Sequence, residues 1–355
     1  MGNELRTDAS SGIQRYMLEI LREMDGMIED GEVELLVSYD EKADFDFRHI
    51  KTVRVGRKLF PYNAFGKRLR RVLYKDFFCA RYIRKNNAVS ADVLMHFPKF
   101  GCDMTVIHDC IREKGGAEYD RDHPEMAGKR DRMRERETNA AARAKMIVTV
   151  SESSKEDIRH FYNPACEISV VPCGWQHFAR IKEDESILEK LGLQPKSYFF
   201  SLGTLMPHKN MYWVACAARD NPEYTFVISG LTVDGQGNVY NDEVYDNMIF
   251  TGYISDGEVK ALMKNCRALI HPSRFEGFGM PPLEAMSVGA DCIVSNRPAL
   301  PEIYENSVWY IDPVSYDNIN LKEIMSAPKE GSDKILEKYS WEKSAEKLLG
   351  ILRGM

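Results

Sequence analysis

The chain has 355 residues, 44% of them hydrophobic, with 48 Lys or Arg against 54 Asp or Glu, a net charge of −6. That length suits two domains rather than one core, and the acidic balance argues against general nucleic-acid binding. No run of about 18 apolar residues is present, so no transmembrane helix is expected, and the first twelve residues lack the charged-then-apolar pattern of a signal peptide. Eight scattered cysteines show neither a C-x-x-C pair nor a histidine at zinc-ligand spacing; they read as reduced core residues of a cytosolic protein.

In chain order, apolar residues Ile13, Tyr16, Met17, Ile20, Leu21 and Met24 recur at helical spacing over 12–25. Val33–Val37 suits a short buried strand. Residues 51–85 then carry twelve Lys or Arg and one acid, Asp76, among seven aromatics. Phe65, Leu69, Val72, Leu73, Phe77 and Ala80 fall on one helical face there, with Arg68, Arg70, Arg71 and Lys75 beside it. Strand-like runs follow at Asp92–Phe97, Met104–Ile107, Met146–Val150 and Ile168–Val171, with a helix over 152–162. The charged stretch 174–196 reads as a linker. A second series has strands at Phe199–Leu202, Thr225–Ser229, Ile249–Thr251, Ala268–His271 and Asp291–Ser295, and a last helix covers 340–352. Strands alternating with helices predict parallel sheets, and two such series predict an α/β protein of two doubly wound domains with a ligand cleft at their strand ends.

The most informative stretch is 271–290, HPSRFEGFGMPPLEAMSVGA. Glu276 precedes the turn Gly277-Phe278-Gly279; Pro281-Pro282 then open a helix that carries Glu284. Prolines in a first helical turn lose no hydrogen bond, and a glycine loop at a helix start offers backbone N–H groups and the positive dipole end to a phosphate. Two carboxylates flank that cradle, placed to accept from sugar hydroxyls. The composite predicts a site for a sugar carried on a nucleotide diphosphate. Upstream, Gly203, Thr204, Lys209 and Asn210 lie between a strand and a helix, where Lys209 would bring positive charge to a leaving diphosphate without a metal. His108-Asp109 ends a strand; alone, the pair fits a buried histidine or part of a metal site as well as a ligand contact. Asp120-Arg-Asp122-His123 contains a D-x-D triplet, but in a charged loop without a preceding strand, and is expected to be solvated.

Glu276 and Glu284, separated by seven residues within E-G-F-G-x-P-P-L-E-A, resemble the E-x7-E signature of retaining glycosyltransferase family 4, whose fold is GT-B. The resemblance runs from about residue 10 to the end. It implies domains over 1–178 and 179–339, with the helix of 340–355 returning to the first. It also implies that Glu276 contacts the transferred sugar, the Gly277, Phe278 and Gly279 amides hold the diphosphate, and Glu284 grips the ribose. His108 is similar to the family's first-domain histidine that meets the donor sugar. Ser11-Gly12-Ile13-Gln14-Arg15-Tyr16 is similar to its glycine turn at the phosphate, and the Gly252-Tyr253 turn to its base-pocket loop. The chain departs from the pattern at Thr204 and His208, where arginines are common, and in residues 1–8, which hold only two apolar residues suited to a first strand.

The implied reaction moves a hexose from a UDP-, GDP- or dTDP-sugar to a glycan hydroxyl, with catalytic residues His108, Lys209 and Glu276 and no metal or cofactor. The basic, aromatic stretch is expected to dock on an anionic membrane surface or a polyprenyl-diphosphate-linked acceptor through Arg68, Arg70, Arg71 and Lys75. The enzyme would then be cytoplasmic, peripheral on the inner face of the membrane and engaged in cell-surface polysaccharide synthesis. The rival expectations are a nucleotide-sugar 2-epimerase of the same fold and a non-catalytic sugar-nucleotide-binding partner.

Overall fold

Every strand pairing among the described residues is parallel. The computed structural model describes residues 11–38, 45–56, 73–93, 98, 101–115, 127–203, 206–230 and 244–355, without the side chains of 75, 127–130 and 207. It divides into two compact units. One contains the chain up to Cys110, the segment through Cys173 and the terminal Trp341–Met355; the other contains Gly174–Ser340 and the short helix Ile111–Lys114.

The first unit holds β1 (Glu34–Ser38), β2 (Lys51–Val55), β3 (Ala91–Asp92), β4 (Met104–Val106), β5 (Met146–Thr149) and β6 (Glu167–Val170). β1 pairs with β2, and β3 to β6 form a sheet in sequence order. Helix Gly12–Asp25 begins where Ser11 accepts from the Gln14 N–H at 3.4 Å, and Glu152–Tyr162 where Ser151 accepts from that of Ser154 at 3.0 Å. Both helices lie where the apolar spacing puts them. The terminal helix Trp341–Arg353 packs on Gly12–Asp25 with Trp341, Leu348 and Leu349 buried, and each such side chain contributes about 1.5–3 kcal/mol. Its Ser344 donates to the Pro172 carbonyl at 2.7 Å, and its Arg353 clamps the Glu32 carboxylate with two nitrogens.

The second unit holds β7 (Tyr198–Leu202), β8 (Thr225–Ser229), β9 (Met248–Gly252), β10 (Ala268–His271), β11 (Cys292–Ser295) and β12 (Trp309–Ile311), ordered β12-β11-β10-β7-β8-β9. Buried on both faces, its central strands are continuous apolar runs, which is how a parallel sheet reads. The two α/β series, each built on parallel strands, are therefore present.

Three differences from the sequence reading have physical reasons. Lys51–Val55, inside the basic stretch, is a strand whose first four residues are at least partly exposed, so its charges mask its pairing. Trp309–Ile311 is too short to register as a run. The expected linker is folded within the second unit, as helices Gln176–Arg180 and Ser186–Lys190.

In the basic stretch, 57–72 lie outside the described residues. Beyond them a π-helical turn, Tyr74–Cys79, leads into helix Ala80–Asn86. Two of its aromatics face the protein: the Tyr74 hydroxyl donates to the Leu36 carbonyl at 2.5 Å, and that of Tyr82 to Glu34 at 2.8 Å. Phe77 is exposed. Among the described residues no helix is long and apolar enough to cross a membrane. All eight cysteines are free thiols.

Candidate active site

The second unit's strand order reverses between β7 and β10, since the chain builds outward from β7 through β8 to β9 and then returns to β10. Ligands of open parallel sheets bind beyond the carboxyl ends of the strands at such a switch point. The segments leaving β7 and β10 carry Lys209 and Glu276.

After β7, Gly203 donates its N–H to Ser229, and a single helical turn, Pro207–Lys209, leads to Asn210 at φ +54° and helix Met211–Asp220. Asn210 serves as a brace: its buried amide donates to the carbonyls of Pro272 at 3.0 Å and Pro313 at 2.8 Å. The Arg274 N–H reaches the His208 carbonyl at 2.8 Å, which binds the β10 exit to the β7 exit. Thr204 lies outside the described residues.

With the two exits tied, Lys209 Nζ stands 2.7 Å from Glu276 Oε1, and His271 Nε2 stands 3.0 Å from the same oxygen. The Glu276 side chain is only 9% exposed. Burial alone would raise its pKa, but the Lys209 ammonium and the His271 contact outweigh it and hold the carboxyl well below its ordinary range. Glu276 is therefore an anion at neutral pH. Because a carboxylate only accepts, His271 Nε2 must carry a hydrogen.

The loop after Glu276 is the one expected to cradle a phosphate. Gly279 has φ +83°, and a Cβ there would lie 2.6 Å from the Leu300 side chain, so a larger residue is excluded by conformation and by space. The Tyr304 hydroxyl donates to the Gly279 carbonyl and accepts from the Leu283 N–H at 3.1 Å. Helix Met280–Ser287 has Pro281 and Pro282 in its first turn, which bring no N–H. Among the described residues, the amides of Phe278, Gly279 and Met280 then remain without a hydrogen bond in the protein. They are the donors an anion would meet. The Phe278 side chain is core, the residue 4% exposed with its ring edge-on to Tyr339, so the ring is not available to a ligand. Gly277 is buried. One turn along the helix, Glu284 Oε1 is 3.0 Å from His177 Nε2. Tyr253 follows β9 and is 76% exposed, open to stack on a planar group.

In the first unit, Gly12 opens the helix Gly12–Asp25, capped by Ser11. His108 lies just beyond the carboxyl end of β4, 7% exposed, its ring edge-on to Tyr16 at 4.8 Å between centroids. Its Nε2 is buried without a hydrogen-bond partner, and an unpaired buried polar atom costs stability. Burial pushes its pKa down from 6.5 to about 4. The unfolded chain therefore binds the extra proton first: the stability due to the neutral ring is complete above about pH 6.5 and is lost as pH falls toward 4. His108→Gln is expected to flatten that part of the stability–pH curve, measured by urea unfolding between pH 4 and 7.

Arg68, Arg70, Arg71, Asp120 and Asp122 lie outside the described residues; Lys75 lies in the Tyr74–Cys79 turn, its side chain outside what the structure describes. Two histidines escaped the sequence reading. His271 ends an apolar strand and looks like its last core residue; its signal is a position five residues before Glu276. His177 sits in the stretch expected to be linker, and nothing local marks it as the partner of Glu284, 107 residues away.

Residues 10–176 match the family model described as Glycosyltransferase Family 4, and residues 183–340 the one described as Glycosyl transferases group 1. The chain is 30% identical over 177 residues to the O-antigen chain mannosyltransferase RfbU of Salmonella typhimurium, covering 48% of each chain. It is 31% identical over 176 residues to an Escherichia coli UDP-Gal:alpha-D-GlcNAc-diphosphoundecaprenol alpha-1,3-galactosyltransferase, covering 44% of each. The matched region thus spans about half the length of these curated relatives. Among solved structures, sucrose-phosphate synthase from Thermosynechococcus elongatus superposes with a TM-score of 0.69 at 16% identity, covering 97% of this chain and 93% of the other.

Proposed function

Because this chain belongs to the glycosyltransferases of GT-B fold, we propose that it transfers a hexosyl group from a nucleoside-diphosphate sugar to a hydroxyl of a lipid-linked glycan in bacterial cell-surface polysaccharide synthesis. The observation that carries this reading is the Lys209–Glu276 ion pair at the switch point, followed at once by the amides of Phe278, Gly279 and Met280.

Each group has a role its chemistry supports. The three amides and the ammonium hydrogens of Lys209 not engaged by Glu276 stabilise the charge that grows on the leaving diphosphate. Glu276, held as an anion, accepts from a hydroxyl of the transferred sugar and donates no proton. Glu284, steadied by His177, accepts from the ribose. His108 offers a neutral ring nitrogen to the donor sugar. The reaction proceeds with retention and without a metal, a diphosphate oxygen taking the acceptor proton on the face the donor leaves. The relatives' names, an O-antigen mannosyltransferase and a galactosyltransferase acting on a diphosphoundecaprenol-linked sugar, support a polyprenyl-diphosphate acceptor. Twelve cations against one acid over 51–85, with Phe77 exposed, support docking on the anionic inner face of the membrane.

The test incubates the purified chain with UDP-, GDP- and dTDP-sugars and a polyprenyl-diphosphate-linked glycan, with and without EDTA. Transfer from one donor, unchanged by EDTA and giving the donor's anomeric configuration in the product, is expected. Tight nucleotide binding without transfer or hydrolysis would instead make the chain a non-catalytic partner, and acceptor-free conversion of the donor would make it an epimerase.

A further inference from the structure

We propose that His271 is a positioning residue for the sugar-binding carboxylate, holding Glu276 in place while the donor's diphosphate draws Lys209 away from it. This rests on the assignment of Glu276 to the transferred sugar.

Lys209 and His271 converge on one oxygen of Glu276, at 2.7 and 3.0 Å, which leaves Oε2 for a hydroxyl. The two partners differ in what they can do when a donor arrives. Lys209 is a point charge on a four-carbon stem, its side chain 21% exposed, and an incoming diphosphate carries more charge than one carboxylate. The ammonium therefore shifts its hydrogens toward the diphosphate. His271 closes strand β10, with its side chain 2% exposed, and its ring has no stem along which to follow. A carboxylate left in a buried site without a fixed donor is costly and loses its aim. His271 supplies that donor at the moment Lys209 is shared.

The surroundings keep the ring in register. Ser273 Oγ lies 3.3 Å from the same Nε2, and the Ser273 carbonyl accepts from Ser295 Oγ at 2.5 Å, which binds the β10 exit to β11. Gly279 closes the other side: a Cβ there would stand 3.6 Å from His271 Nε2 and 3.8 Å from Glu276 Cγ. Imidazole, carboxylate and cradle are thus packed as one body.

The test uses the full chain with whichever of the UDP-, GDP- or dTDP-sugars it turns over, and calorimetry with the matching nucleoside diphosphate. His271→Ala should lower kcat by about 10–100-fold, the loss of one hydrogen bond to a buried charge. Affinity for the free diphosphate should stay within about twofold, because Lys209 and the three amides are intact. His271→Gln, which restores an N–H at similar reach, should recover most of kcat, and His271→Phe should not. Unchanged kcat in His271→Ala, equal impairment in His271→Gln, or diphosphate affinity falling in step with kcat would each overturn the proposal alone. A wild-type chain that transfers nothing from all three donors would defeat the transferase reading and this proposal with it.

Discussion

Lys209→Ala is expected to lower kcat by about 10²–10³-fold, the effect of removing one preorganised donor from a developing anion, and to weaken nucleoside-diphosphate binding as well. Both losses follow from geometry. The β7 exit places the Lys209 ammonium 2.7 Å from Glu276 on the β10 exit, two residues before the amide of Phe278. An ammonium has three hydrogens, and Glu276 engages it through one oxygen, so on the proposed assignment a diphosphate can compete for it. Arginine is not an equivalent replacement: its planar fork favours bidentate capture of one partner. Steady-state kinetics with calorimetry on the free nucleotide checks both losses, and a circular-dichroism melt separates them from unfolding. Turnover and affinity like the wild type would remove Lys209 from the site.

Glu276→Gln has the opposite signature on binding. The amide keeps the shape of the side chain and loses its charge, so kcat falls by about 10²–10³-fold as the sugar hydroxyl loses its ionic acceptor. Lys209, released from its 2.7 Å ion pair, is then free for the diphosphate, and affinity for the free nucleotide is retained or rises. The pair of variants separates two assignments that activity alone would merge: one residue serves the leaving group, the other the sugar. Equal weakening of nucleotide binding by both would contradict that division. The wild-type rate carries no acid limb from Glu276 near neutrality, since Lys209 and His271 hold its pKa well below the ordinary carboxylate range; an acid limb in this range belongs to other groups.

Those two residues were legible from sequence, and the reasons are local. Gly279 is required by a positive φ and by a near neighbour, and prolines mark a helix start, so 276–284 declares its backbone in its own letters. The second unit's central strands were equally plain, because a sheet covered on both faces needs apolar runs such as residues 226–228 and 268–270. What stayed hidden depends on contacts across the chain. His177 meets Glu284 over 107 residues, and Lys209 meets Glu276 over 67. No periodicity encodes such pairs. Asn210 was expected at the ligand for its position, yet its amide braces two carbonyls; a buried asparagine must spend its donors somewhere, and the nearest backbone claimed them. Lys51–Val55 was lost in a run of charges, although its pairing with β1 needs only its backbone.

The hydroxyl of Tyr304, fastened both to the Gly279 carbonyl and to the Leu283 amide, has a kinetic corollary. If the loop binds the nucleotide as proposed, a segment already pinned has little disorder left to surrender when the nucleotide lands, and it behaves as a lock cut in advance. On that assignment, time-resolved probes placed on Phe278 or Met280 are expected to register occupancy without a preceding rearrangement.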